Sequence, residues 1–102
     1  MQENRTAGIA AERLRAAGYE VTTAVGRTGV VGVLRNGERP TIMLRADMDA
    51  LPVREATRLP YASNVTADQN GKSTPVMHAC GHDMHVTWLI GAATLMAKNR
   101  NA

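Results

Sequence analysis

A thiol and an imidazole stand two residues apart in the run Cys80-Gly81-His82, immediately before a stretch with helical periodicity. The glycine between them allows a sharp bend, so both side chains can face one ion without strain. A thiolate and a neutral imidazole nitrogen are ligands that zinc and related divalent metals accept. An isolated pair of this kind also has a structural interpretation, in which Cys80 fills the core and His82 only begins a helix. Both interpretations are open at this point.

Further titratable side chains crowd the same short run, since His78, Asp83 and His85 also lie within 78–85. Asp83 could accept a hydrogen bond from a ligand imidazole and so orient it, as carboxylates beside metal-binding histidines commonly do. His85 lies three residues beyond His82 on the expected helix and could equally face solvent. The density of these residues raises the case for a metal site above that for an isolated pair.

A second polar group is Arg45-Ala46-Asp47-Met48-Asp49, which follows an apolar run with the character of a strand. Open α/β sheets place their active-site crevice at the ends of strands. Side chains two residues apart on a strand point the same way, so Asp47 and Asp49 could approach one metal ion. In the alternative interpretation both carboxylates lie in water at the strand end, with their charge offset by Arg45.

The apolar periodicity predicts the elements that must position these groups. The predicted elements, in sequence order, are a helix over 4–17, strands over 19–25, 29–35 and 41–46, a loop over 47–75 and a helix over 82–98. Asn36-Gly37 is a strong hairpin signal between the second and third strands, although Pro40 lengthens the connection. Helix, three strands, long loop and helix is the order of an α/β domain.

Composition narrows the class of partners. The net charge is +3, but the basic residues are spread along the sequence, and one tryptophan and two tyrosines offer no stacking surface for bases. A single cysteine forms no internal disulfide, which favours a reducing compartment. The sequence has no export signal and no apolar run of about 20 residues, the length that spans a bilayer. We therefore expect a cytoplasmic protein that binds neither nucleic acid nor membrane.

Two runs of the sequence together carry a family resemblance. Residues 44–52 read LRADMDALP and residues 77–85 read MHACGHDMH, with Leu59-Pro60-Tyr61 in the loop between them. In this order they resemble the hippurate hydrolase and indoleacetyl-amino-acid hydrolase branch of the aminoacylase and carboxypeptidase-like metallopeptidases. The resemblance extends from about residue 6 to residue 97, nearly the whole sequence.

The resemblance implies a zinc-exopeptidase-like α/β catalytic domain, interrupted by a smaller lid or dimerisation domain. Such a domain binds two divalent metal ions and hydrolyses the amide bond of N-acyl amino acids. The resemblance implies that Cys80 and His82 are metal ligands, and that Asp49 and also Asp47 and Asp83 shape the site around them. Zinc or manganese is the implied ion, with cobalt as a further candidate.

The same resemblance implies that residues 1–102 are only the N-terminal portion of the catalytic domain. The family pattern places two adjacent glutamates downstream, one a general base and the other a metal ligand, followed by further histidine ligands. This sequence has no Glu and no His after His85. We therefore expect the lid domain and the C-terminal part to be absent and the 102 residues by themselves to be inactive. The alternative is a non-catalytic remnant, or a small module that binds a metal or a partner.

The helix expected over 82–98 also bears on assembly. It carries large apolar side chains over more than one face, among them Val86, Trp88, Ile90 and Leu95. A helix that is apolar over so wide an arc normally packs between other elements, and few are available here. We therefore expect apolar surface to remain exposed and the isolated protein to be homo-oligomeric, aggregation-prone or only partly folded.

Overall fold

The computed structural model describes residues 3–38 and 40–100. Its elements, in sequence order, are α1 (Asn4–Ala16), β1 (Glu20–Val25), β2 (Gly29–Val33), β3 (Thr66–Gln69), β4 (Lys72–Pro75) and α2 (His82–Lys98). The strands form two separate antiparallel pairs, β1 with β2 and β3 with β4. Two helices and two small sheets are consistent with the predicted α/β class.

Helix α1 packs through a face of small residues and ends where the sequence predicted. Its buried residues recur at helical spacing and are Ala7, Ala10, Ala11 and Leu14. The helix is closed by Gly18, whose φ of +90° suits a residue without a side chain. The Gly18 N–H donates to the Arg15 carbonyl at 2.9 Å, and the Tyr19 N–H donates to the Leu14 carbonyl at 3.1 Å. This pair of bonds satisfies carbonyls that the helix end leaves free.

The β1–β2 hairpin lies against α1 through its glycine-bearing face. A Cβ atom at Gly32 would lie 3.1 Å from the Leu14 side chain and 3.3 Å from the Tyr19 ring, so the close approach depends on glycine. The Tyr19 hydroxyl also donates to the Ala93 carbonyl at 2.9 Å, which ties the hairpin to α2. The strands predicted over 19–25 and 29–35 are confirmed, with their ends shifted by a residue or two.

Helix α2 agrees with the predicted helix over 82–98, but it is buried less than its apolar content suggests. Only Val86 and Ala93 of this helix are buried, and Trp88 and Leu95 are 61% and 63% exposed. The whole buried apolar core of the described residues consists of Val86 and Ala93 together with the four α1 residues named above. None of the helices in the described part of the chain is long and apolar enough to cross a membrane.

The predicted third strand over 41–46, and its hairpin through Asn36-Gly37, are wrong for the described residues. Residues 41–46 form no strand, and Ile42 and Met43 are 75% and 84% exposed. The apolar run indicates a strand, but a strand needs a neighbour to receive its backbone hydrogen bonds. The hairpin of β2 is made instead with β1, through the turn at 26–28.

The loop predicted over 47–75 is also wrong in its second half, because it contains the hairpin β3–β4. This hairpin turns at Asn70-Gly71 and pairs Gln69 with Lys72. Its strands read TADQ and KSTP and do not alternate apolar and polar residues, so the sequence pattern did not predict them. The turn residues were the available signal, since Asn-Gly is the favoured pair for a two-residue hairpin.

Candidate metal site

A short antiparallel bridge brings the two sequence motifs together. The Leu51 N–H donates to the Met77 carbonyl at 2.9 Å, and the Met77 N–H donates to the Leu51 carbonyl at 3.1 Å. Leu51 lies two residues after Asp49, and Met77 lies three residues before Cys80. The bridge therefore sets the Asp49 segment beside the start of α2. Sequence reasoning missed this pairing, because an isolated pair of residues produces no periodic pattern.

Asp49 and His82 form the closest contact between the motifs. Nδ1 of His82 lies 2.8 Å from Oδ1 of Asp49 and 3.1 Å from the Asp49 backbone carbonyl. Both neighbours are acceptors, so Nδ1 must carry the ring proton for either contact to be favourable. The Nε2 lone pair of the neutral ring is then free for a metal ion. The His82 side chain is only 15% exposed, so its orientation is also held by packing.

Cys80 lies at the exposed edge of the same region as a free thiol. Between it and His82, Gly81 adopts φ +79° and ψ 13°, the left-handed conformation that other residues reach only with strain. The turn at Gly81 starts α2 at once, so the thiol and the imidazole lie on either side of a tight bend. The left-handed Gly81 gives the sharp bend that the sequence argument expected, and the convergence of the two side chains on one ion stays a prediction.

The other titratable residues of the run 78–85 do not take part in the contact between Asp49 and His82. His85 stacks obliquely between His82 and Trp88, with ring centroids 5.8 Å and 5.5 Å apart, along one exposed edge of α2. The Asp83 carboxylate is exposed in the first turn of α2, where it complements the helix dipole. Among the described residues it forms no hydrogen bond or ion pair with His82, so Asp49 is the carboxylate on that ring. His78 is exposed next to Ala79.

Asp47 agrees with the alternative interpretation, in which the aspartate carboxylates lie in water and Arg45 offsets their charge. Its Oδ1 accepts a hydrogen bond from Nη2 of Arg45 at 2.6 Å, and both side chains are substantially exposed. Asp47 and Asp49, two residues apart, therefore have different partners. The structure brings Asp49 and His82 together, and it leaves Asp47 paired with its own neighbour.

The loop beside the site is ordered by a carboxylate of its own. Glu55 accepts hydrogen bonds from the Ser63 N–H and the Thr57 hydroxyl, each at 2.7 Å. These bonds, with the Ser63 bond the stronger influence, lower the pKa of Glu55 from its usual value. The Ser63 hydroxyl in turn donates to the Val76 carbonyl at 2.7 Å, one residue before the bridge to Leu51. Glu55 thus organises the loop between the motifs.

Cys80 and His82 by themselves can supply only part of the coordination shell of a metal ion. Among residues 3–38 and 40–100 there is no group of three or more His, Cys, Asp or Glu side chains arranged to hold a metal. A thiol and an oriented imidazole are suitable donors, but a catalytic zinc site usually has three protein ligands. Any ion bound by these residues therefore has most of its coordination open to water.

Comparison with known proteins identifies the class of protein. Residues 43–102, which include both motifs, match the peptidase family M20/M25/M40. The chain belongs to this family, and it is by descent a member of an enzyme family. The resemblance that the two motifs carried is confirmed.

Individual relatives extend the match to nearly the whole sequence. Hippurate hydrolase of Campylobacter jejuni is 52% identical over 90% of this chain, and thermostable carboxypeptidase 1 of Saccharolobus solfataricus is 48% identical over 98%. IAA-amino acid hydrolase ILR1-like 2 of Arabidopsis thaliana is 40% identical over 98%. The aligned part is only 22%, 24% and 21% of these three relatives. The chain therefore spans less than a quarter of their length.

Proposed function

We propose that this chain forms one corner of the metal site of an amidohydrolase that cleaves the amide bond of N-acyl amino acids. The corner consists of Cys80 and His82 as metal ligands and Asp49 as the group that orients His82. Residues 1–102 then represent the N-terminal portion of a zinc-exopeptidase-like catalytic domain, with the other ligands and the general base supplied by polypeptide outside them.

The contact between Asp49 and His82 is the single observation that carries the proposal. A structural histidine at the start of a helix needs only one partner of any kind. Here a carboxylate and a carbonyl both accept from Nδ1, at 2.8 and 3.1 Å. That arrangement fixes the tautomer with a free Nε2, and a carboxylate behind the imidazole makes Nε2 a stronger donor to a metal.

The donor set fits a divalent ion of intermediate softness. The Cys80 thiolate favours zinc and the His82 imidazole suits zinc and related transition metals, whereas manganese prefers oxygen ligands. A bound divalent ion supplies Lewis acidity, which polarises an amide carbonyl and acidifies water at neutral pH. The part of this chain is to hold Nε2 of His82 in place through Asp49 and to offer the exposed Cys80 sulfur from across the Gly81 turn.

The substrate class rests on the names of the relatives. Hippurate is N-benzoylglycine, and the plant relative is named for amino acids acylated by indoleacetic acid, so both names describe an acyl group joined to an amino acid. The carboxypeptidase relative is named for cleavage of the same kind of bond at a peptide end. We assign an N-acyl amino acid as the substrate of the complete protein. We also propose that the complete protein is located in the cytoplasm.

A chimera tests this proposal directly. The aligned segment of the Campylobacter jejuni hippurate hydrolase would be replaced by the corresponding residues of this protein, and hydrolysis of N-benzoylglycine measured. We expect metal-dependent hydrolysis, because the relative supplies the remaining ligands and the general base. Cys80→Ser and His82→Ala should each lower kcat/KM by about 100-fold or more, since even the partners of metal ligands are worth roughly 10–100-fold.

The matched control is Lys98→Gln, at the exposed far end of α2, which should leave kcat/KM unchanged. A folded chimera that binds metal but does not hydrolyse N-benzoylglycine or other N-acyl amino acids would contradict the proposed function. Full activity of the Cys80→Ser chimera would instead remove Cys80 from the ligand set.

A further inference from the structure

Two Asn-Gly pairs lie in opposite structural settings, Asn36-Gly37 after β2 and Asn70-Gly71 between β3 and β4. The amide group of an asparagine side chain is chemically labile because the backbone nitrogen of the next residue can attack its Cγ atom. Glycine at the next position has no Cβ atom to crowd that approach and allows the backbone to rotate freely. Sequence alone therefore makes both pairs reactive to a similar degree.

The structure protects Asn70. Asn70 and Gly71 have φ values of +56° and +78°, the two positive values of a tight two-residue hairpin turn. The Gly71 nitrogen, which would have to attack, donates its hydrogen to Oδ1 of Asp68 at 3.1 Å. Reaction at Asn70 requires this bond to break and the turn to leave its left-handed conformation. The paired strands on both sides, Gln69 with Lys72 and Asp68 with Ser73, oppose that rearrangement.

The structure leaves Asn36 open. Asn36 and Gly37 lie outside the helices and strands, and both are exposed. Within the described part of the protein neither forms a hydrogen bond, whereas the Gly71 nitrogen donates to Asp68. Gly37 has a positive φ of +83°, as Gly71 does. Among the described residues, however, no hydrogen bond holds the Gly37 nitrogen and no paired strands enclose the two residues, so this nitrogen meets less resistance in approaching the Asn36 side chain.

We propose that Asn36 is a site of spontaneous deamidation and that Asn70 is protected from the same reaction by its hairpin. The Gly37 nitrogen loses its proton and forms a bond to Cγ of Asn36, and the bond between Cγ and Nδ2 of Asn36 breaks to release ammonia. The product is a five-membered cyclic imide. Water opens the ring at either carbonyl, which leaves aspartate or isoaspartate at position 36.

The product changes the charge of one end of the β1–β2 sheet. A new carboxylate appears next to Arg35, whose Nε atom lies 3.1 Å from Oε1 of Glu20 in an exposed ion pair. The net charge of the protein falls from the present +3 by one unit. Because exposed ion pairs contribute little to stability, the product should accumulate without unfolding the protein. Isoaspartate also lengthens the backbone by one methylene group in the segment that leads to Arg45 and Asp47.

The test is to incubate the purified protein in mildly alkaline buffer and to follow both sites by peptide mapping with mass spectrometry. Each conversion replaces an NH₂ group by OH, and isoaspartate is separated from aspartate by chromatography. We expect Asn36 to convert about 10-fold faster than Asn70 or more, because Asn70 reacts only from a locally opened hairpin. In concentrated urea the two rates should become similar, since the protecting structure is lost.

Two variants make the comparison specific. Asp68→Ala removes the acceptor of the Gly71 N–H and should accelerate conversion at Asn70 while leaving Asn36 unchanged. Asn36→Gln adds a methylene group that disfavours ring closure, so the charge change at this position should disappear. Equal conversion of both sites in the native protein would overturn the proposal. So would a rate difference that persists in urea, because it would then arise from neighbouring sequence.

Discussion

The isolated 102-residue protein is expected to hydrolyse N-benzoylglycine no faster than buffer, with or without added zinc or manganese. The part that the structure describes brings Asp49 onto the His82 ring, with Cys80 two residues earlier in the sequence, and it assembles no group of three or more His, Cys, Asp or Glu side chains that could hold a metal. The adjacent glutamates that the family resemblance implies, one of them the general base, are not among these residues, since the sequence has no Glu after His85. General acid–base catalysis alone typically contributes about 10²- to 10⁴-fold.

This expectation is checked by a sensitive assay of glycine release, with the chimera described above as the positive control. The assay should detect the chimera and find the isolated protein at background. Turnover by the isolated protein that is lost in Cys80→Ser would contradict the account, because it would mean that residues 1–102 contain a complete site.

The second large effect is self-association of the isolated protein. Its radius of gyration is 16.0 Å, whereas a compact domain of 100 residues has a value of about 13 Å. The structure is therefore extended, and large apolar side chains remain in contact with water. The most exposed are Met43, Tyr61, Ile42, Leu95 and Trp88. Apolar surface of this kind drives association, and so does the run 41–46, which has strand character but no strand neighbour among the described residues.

Size-exclusion chromatography with light scattering measures this association. We expect species larger than a monomer at micromolar concentrations, and we expect the double substitution of Ile42→Ser and Met43→Ser to reduce them. The matched control, Thr41→Ser, alters an exposed residue of the same segment without removing apolar surface. A sharp monomer peak with a cooperative thermal transition would contradict the expectation and would revive the interpretation of a self-sufficient binding module.

The sequence predicted the elements whose residues repeat with a period and are covered by local neighbours. Helix α1 could be predicted because Ala7, Ala10, Ala11 and Leu14 recur at helical spacing and Gly18 closes the helix. Strands β1 and β2 could be predicted because their Val-rich runs pair with each other across a short turn. In these cases the local preference and the packing agree.

Prediction failed where pairing, and not local preference, decides the structure. The run 41–46 has the composition of a strand but no neighbour among the described residues, while the polar strands β3 and β4 have a neighbour and a favourable Asn-Gly turn. The hairpin signal was correct in kind, but it was assigned at Asn36-Gly37 and not at Asn70-Gly71. A pattern of side chains reports which face is apolar and contains no information about which partner is present.

For the candidate site too, the sequence predicted one part and left another part open. The residue types and the spacing of Cys80 and His82 indicated a metal site without any structure, because metal chemistry restricts the ligands. The partner of His82 could not be derived from spacing, since Asp49, Asp47 and Asp83 were all plausible. The Leu51–Met77 bridge selects Asp49 by setting its segment beside α2. The roles of these residues in the complete protein stay predictions.

The central claim, that Cys80 and His82 bind a divalent ion with Asp49 behind the imidazole, is tested most directly by cobalt titration followed by visible and near-ultraviolet absorbance. The account predicts a thiolate charge-transfer band that is lost in Cys80→Ser. It also predicts that Asp49→Ala weakens cobalt affinity roughly 10–100-fold, as loss of a carboxylate partner of a ligand histidine does. Asp47→Ala, the matched control, should have no such effect because Asp47 pairs with Arg45. A band of equal strength in Cys80→Ser, or equal affinities in the Asp49 and Asp47 variants, would contradict the claim.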